Sequence, residues 1–167
     1  MLVWDTDSIG LETSRYKGVP AYENGYLFHH SQGRHYAADG YYYGQKWQCV
    51  EYIKRFYKIV LQHEMPNVWG HARSFFDPGL ADGALNPARG LRQYRNGSRA
   101  APRPDDILVF CDTQYGHMGI ITHVGAREVE IIQQNIFGKP RQRFALRCDR
   151  GRYSIHAPRL AAGWLRL

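Results

Sequence analysis

Cys49 lies in the run Gly44-Gln-Lys-Trp-Gln-Cys-Val-Glu-Tyr52, at the point where a helical hydrophobic pattern begins. The position has chemical meaning. A thiolate is the reactive form of cysteine, and a helix start stabilises negative charge through its unpaired N–H groups and its dipole. The same N–H groups can hold a developing oxyanion, and Gln48 can add another donor. The competing reading of any cysteine is a small buried packing residue.

A nucleophilic cysteine needs a base. The strand-like run Gly116-His-Met-Gly-Ile-Ile-Thr-His123 offers two histidines. Strand alternation places His117, Gly119, Ile121 and His123 on one face. Their separation in sequence puts His117 and His123 roughly 20 Å apart at strand rise, so they cannot serve one site. His117 has Gly116 and Gly119 beside it, which leaves room for the ring, and is the expected base; His123 is expected to be structural. The base needs an orienter that accepts from its other ring nitrogen. The next strand-like run, Val129-Glu-Ile-Ile-Gln-Gln-Asn135, supplies Gln133 or Asn135 on one face, with Gln134 on the other. An ordinary polar strand end is the competing reading for both.

The elements that must carry these residues follow from periodicity. Val50, Ile53, Phe56, Tyr57, Val60 and Leu61 recur at helical spacing, so an amphipathic helix should start near Cys49 and end before Pro66. Met1 to Gly44, rich in Gly, Tyr and His, reads as loops and short strands. Pro66 to Pro104 is broken by Pro and Gly; it allows a short helix over Val68 to Phe76, and the rest reads as loop with a turn at Asn96-Gly97. Ile107 to Phe110 reads as a buried strand, at whose end Cys111 should be buried. Gly116 to Val124 and Val129 to Gln134 read as strands joined by a turn, and Phe144 to Arg147 and Trp164 to Leu167 as further strands. One helix followed by short strands argues for an α+β fold with an antiparallel sheet.

The chain has 167 residues, 44% of them apolar, which suits one domain over 1–167 with a proper core. Three widely spaced cysteines, Cys49, Cys111 and Cys148, make neither a disulfide framework nor a zinc pair. His29-His30 and His35 lack ligand spacing, so no metal is expected. Met1 to Gly10 carries Asp5 and Asp7 and no apolar run of signal-peptide length, and no stretch approaches membrane-spanning length. These features predict a soluble protein with no membrane partner, cytoplasmic or exported without a cleaved signal. The net charge is +7, with Lys139, Arg141, Arg143, Arg147, Arg150, Arg152 and Arg159 concentrated late. Such a surface favours anionic partners, against the plainer reading of a solvated basic face.

Taken in order, the motifs resemble those of the CHAP amidases, and most nearly the amidase domain of glutathionylspermidine synthetase/amidase. The nucleophile motif is Trp47-Gln-Cys-Val-Glu-Tyr-Ile-Lys-Arg55, the histidine motif Gly116-His-Met-Gly-Ile-Ile-Thr122, and the third motif Gln133-Gln-Asn135. Asn96-Gly-Ser98 and the closing Gly163-Trp164 extend the resemblance over nearly the whole chain. It implies a papain-like fold, with the nucleophile at the start of a helix packed on an antiparallel sheet. It also implies Cys49 as nucleophile and His117 as base, with Gln133 and Asn135 in the third motif. Trp47, Gln48, Lys54, Tyr43 and Tyr115 are the expected oxyanion or substrate contacts. Two departures stand out. Gln133 occupies a place usually held by an acidic residue, so it can orient an imidazolium but not neutralise it. Lys54 stands where Arg is frequent, which removes bidentate geometry.

The resemblance implies hydrolysis of an amide through a thioester, without a cofactor. The expected substrate is a bacterial cell-wall peptide, which a basic surface suits; the alternative is glutathionylspermidine, to which the motifs sit closest. A phage-type or contact-dependent delivery route would fit the first, and an inhibitor or immunity protein would be its protein partner. No specific nucleic-acid partner is expected. The rival class is a catalytically decayed binding module, in which the arginines and Tyr41 to Tyr43 grip a polyanion. That tyrosine run directly precedes the nucleophile motif, where it is better placed to line a substrate cleft.

Overall fold

The computed structural model describes residues 7–167. Met1–Thr6, part of the N-terminal segment read for a signal peptide, lie outside the described residues. The chain forms two compact units. One comprises the described residues up to Glu64 together with Ile132–Arg141; the other comprises Met65–Ile131 and Gln142–Leu167.

The first unit holds four short strands and one helix. Strands β1 (Glu12–Tyr16) and β2 (Val19–Tyr22) form an antiparallel hairpin, as do β3 (Arg34–Tyr36) and β4 (Tyr42–Gln45). Helix α1 (Cys49–Leu61) packs against β2 and β4. It starts at the nucleophile candidate and ends before Pro66, as its periodicity predicts. Gln62 closes it in the left-handed conformation, its N–H donating to the Tyr57 carbonyl.

The burial of α1 differs from the expected single apolar face. Glu51 through Tyr57 are all buried, charged residues included, while Ile59 is 56% exposed. Over these seven residues the helix is enclosed on every side. Charged groups there must find partners inside the protein.

Strand β4 approaches the helix start closely. Gly44 has φ +138°, and a Cβ there would lie 3.1 Å from both Cα and N of Glu51. Substitution would therefore push the strand off the first turn. Gly44→Ala should cost about 1–3 kcal/mol, combining strain with overpacking. An unchanged midpoint in urea denaturation would refute this close packing.

The remaining elements are a 3-10 turn (Ala72–Phe75), β5 (Leu85–Asn86), β6 (Leu91–Arg95), β7 (Ile107–Phe110), β8 (His117–Val124), β9 (Glu128–Ile132), β10 (Arg141–Asp149), β11 (Arg152–His156) and β12 (Ala161–Arg166). The strands form one eight-stranded sheet in the order β11-β10-β9-β8-β7-β12-β6-β5. The β5–β6, β6–β12, β12–β7, β7–β8 and β10–β11 pairs are antiparallel. One helix with a largely antiparallel sheet is the α+β class expected. Strand β7 is buried along its whole length, between β8 and β12. Leu108, Phe110, Ile121, Val129, Ile131, Phe144, Leu146, Ile155 and Trp164 share one core, each burial worth about 1.5–3 kcal/mol.

Three local expectations are corrected. The short helix over Val68 to Phe76 shrinks to the 3-10 turn. The region read as loop before Pro104 contains β5 and β6. Cys111, expected buried, is only half-buried just beyond β7. No described helix is long and apolar enough to cross a membrane.

Candidate active site

Cys49 is the first residue of α1 and is 9% exposed. Gln48 is the N-cap, in extended conformation, and its side chain makes no capping bond. The first-turn N–H groups have no intrahelical acceptor, so the helix start keeps its donors and its positive end beside the thiol. The Gln48 side chain instead donates to the His30 carbonyl at 3.3 Å. Among the other expected contacts, Trp47 is half-buried, its ring 4.4 Å from that of Tyr22. Tyr43 is buried against His35, with ring centroids 5.2 Å apart.

Lys54 is fully buried. Its ammonium sits 4.7 Å from the Tyr42 ring centroid and 5.7 Å from that of Tyr41. Expected at the substrate, it is an interior cation held against aromatic faces. Part of the tyrosine run thus cages a lysine.

A buried network fixes the helix start. Glu51 Oε1 accepts from Arg55 Nε at 2.6 Å and from His35 Nδ1 at 2.9 Å. Glu51 Oε2 accepts from Gln134 Nε2 at 2.8 Å and from Arg55 Nη2 at 3.3 Å. Gln134 Nε2 also donates to the Gln48 carbonyl at 2.8 Å, and its Oε1 accepts the Tyr22 N–H at 2.9 Å. Burial opposes ionisation of Glu51. The hydrogen bond from His35, the charge and hydrogen bond of Arg55 and the bond from Gln134 outweigh it, and hold the carboxyl below its ordinary value. His35 is therefore a partner of Glu51. Sequence reasoning missed Gln134, which lies between the two candidate orienters. Its one signal was its place on the opposite strand face from Gln133.

The third motif also ends differently from expectation. Strand β9 stops at Ile132, so Gln133 and Asn135 follow the strand, and Asn135 has φ +69°. Gln133 is buried; its Nε2 donates to the Lys139 carbonyl at 2.8 Å and its N–H to the Pro140 carbonyl at 2.9 Å. Asn135 is engaged at both ends of its amide. Its Oδ1 accepts from Asn24 Nδ2 at 2.8 Å, and its Nδ2 donates to the Phe28 carbonyl at 2.6 Å.

His117 belongs to the other unit, as the first residue of β8. It is 4% exposed, and its ring stacks on that of its cross-strand partner Phe110, with centroids 6.0 Å apart. Tyr115, two residues earlier, is half exposed and lies against His71 at 4.6 Å. His123, at the far end of β8, is exposed. As the topology expected, β8 and β9 are neighbours.

Residues 40–135 match the model of the CHAP domain. The chain belongs to the CHAP family. Its CHAP segment runs from before the tyrosine run to Asn135, so it includes Cys49, His117 and Gln133. Over 120 residues the chain is 31% identical to trypanothione synthetase of Crithidia fasciculata, covering 70% of this chain and 18% of that protein. Over 112 residues it is 32% identical to the bifunctional glutathionylspermidine synthetase/amidase of Escherichia coli (strain K12), covering 61% of this chain and 17% of the relative. Similarity to a glutathionylspermidine synthase of Crithidia fasciculata is 33% over 101 residues, or 55% of this chain and 14% of that protein. The CHAP chain thus matches less than a fifth of the length of each of these relatives. Family and relatives together support a cysteine amidase or hydrolase class.

Proposed function

We propose that residues 1–167 form a single amidase domain that hydrolyses an amide bond with Cys49 as nucleophile and His117 as base. The carrying observation is Cys49 at the first position of α1, within a CHAP match that also holds His117. In this reading the Cys49 thiolate attacks the carbonyl carbon. The oxyanion is held by the Cys49 N–H and a neighbouring donor such as Gln48. His117 gives its proton to the leaving nitrogen, the C–N bond breaks, and a thioester remains. Water then attacks with His117 taking its proton; the C–S bond breaks, releasing the acid and restoring the thiol.

Gln133 is the preferred orienter of His117. Its Nε2 donates to the Lys139 carbonyl, which fixes the orientation of an amide whose oxygen can only accept, and the Asn135 amide is directed at Asn24 and Phe28. An amide orients the ring without neutralising the imidazolium, as in papain-like enzymes. Gln133→Glu should therefore favour the charged ring. It should move the alkaline limb of the kcat/KM profile upward by about one pH unit. An unmoved limb would remove Gln133 from this role.

The substrate we favour is a cell-wall peptide, on the strength of the net charge of +7. The second reading is glutathionylspermidine, favoured by the name of the Escherichia coli relative. Zymography on purified cell wall, run beside an assay of glutathionylspermidine cleavage, separates them. Clearing of wall without cleavage of the conjugate supports the first, and the reverse supports the second.

A further inference from the structure

We propose that Arg73 is a specificity-determining residue that binds a carboxylate on the amine-side half of the substrate. The inference rests on the reading of Cys49 and His117 given above. In that chemistry His117 hands its proton to the leaving nitrogen, so the amine-side half of the substrate lies beyond His117.

Arg73 is built into that side. It belongs to the 3-10 turn, which packs on β7 and β8. Its N–H donates to the Tyr115 carbonyl at 2.9 Å, and its Nη1 donates to the Thr113 carbonyl at 3.2 Å. Two bonds thus fix both ends of the residue against the loop that leads into His117. Gly116, the residue before His117, has φ +67°, and a Cβ there would lie 2.9 Å from Arg73 Cβ and 2.5 Å from the Phe110 carbonyl oxygen. No side chain can stand between Arg73 and the backbone at His117, which gives the glycine a reason beyond its turn conformation.

The guanidinium itself is exposed. It has five donors in a planar fork. Among the described residues its side chain bonds only to the Thr113 carbonyl, and no carboxylate lies within ion-pair distance. The one acid of the preceding loop, Asp112, is held by Arg159 at 3.2 Å. A cation oriented by a carbonyl and lacking an acidic partner is suited to a planar anion. It would repel a polyamine leaving group and attract the carboxylate of an amino acid or peptide.

Two alkylators of nearly equal size test this without knowledge of the natural substrate. Iodoacetate carries a carboxylate and iodoacetamide a neutral amide. The rate of Cys49 labelling by each is read by intact mass in wild type, Arg73→Gln, Arg73→Lys and Arg147→Gln, at low and high salt. In Arg73→Gln the iodoacetate rate should fall about tenfold relative to iodoacetamide, with the iodoacetamide rate unchanged, and Arg73→Lys should restore part of the ratio. High salt should shrink the wild-type preference. An unchanged ratio in Arg73→Gln overturns the proposal. So does an equal fall in Arg147→Gln, an exposed arginine of β10, because it would mean general surface charge. Slow labelling by both reagents in every protein, indifferent to pH, would be the distinct failure of the Cys49–His117 reading, and the proposal would fall with it.

Discussion

Cys49→Ala and His117→Ala should each lower kcat/KM for amide hydrolysis by at least ~10³-fold, and the double variant should be little worse than either alone. Members of a nucleophile–base pair act as a unit, so losing one removes most of what both supply. Thiol chemistry gives the same test without a substrate. Limiting alkylator should label one site of the wild type quickly at a pH well below ~8.5, the value of an ordinary free thiol. Both substitutions should abolish that fast label. His117 is nearly buried and stacked on Phe110, so its removal to alanine also opens a cavity. His117→Gln retains much of the volume without the basicity and should lose the fast label while keeping a near-native unfolding midpoint. If Cys49 labels slowly in the wild type and ignores His117, the amidase reading loses its physical basis. A basic binding module then becomes the better account, and salt-dependent retention on a polyanion that survives Cys49→Ala would be its signature.

What the sequence made legible was whatever rests on local periodicity. The start and end of α1, the buried strand at Ile107–Phe110 and the strand opening at His117 all follow from apolar spacing and flanking glycines. The motif spacing also led to the CHAP family. What escaped depends on tertiary enclosure. Lys54 was expected at the substrate through the family resemblance, yet the helix from Glu51 to Tyr57 has no wet face and the lysine lies inside. The sequence pattern runs on past Ile132, but the strand stops there and Asn135 turns into the left-handed region. Alternation therefore says nothing reliable about where Asn135 points. Gln134 was invisible for a further reason. A buried amide is meaningful only through its partners, and these come from residues 22, 48, 51 and 55, brought together by the fold.

Arg55→Met should be the most destabilising of the changes near the nucleophile, at about 3–5 kcal/mol near neutral pH. It leaves the Glu51 carboxylate fully buried, with hydrogen bonds from His35 and Gln134 but without its cation. It also removes a guanidinium that lies 5.1 Å from the Tyr22 ring centroid and 5.3 Å from that of Tyr52. The double variant Glu51→Gln/Arg55→Met should recover a large part of the loss, because a neutral buried amide replaces an unpaired charge. The pH dependence separates this electrostatic account from simple loss of packing. In the wild type the Glu51 carboxyl is held below its ordinary value of 4.5, so it contributes stability above that value, which is lost as the pH falls through the folded-state value. In Arg55→Met the burial that already opposes ionisation is countered only by the hydrogen bonds from His35 and Gln134, without the charge and hydrogen bond of Arg55, and the folded-state value should rise above the unfolded one. The sign then reverses: the variant gains stability as the pH falls towards its raised value. The gap between wild type and variant in urea unfolding should therefore narrow steadily from neutral pH to about pH 4. A gap of constant size across that range would mean that Arg55 acts only by packing. The charge of Glu51, two residues from the nucleophile, would then have to be balanced by His35 and Gln134 alone.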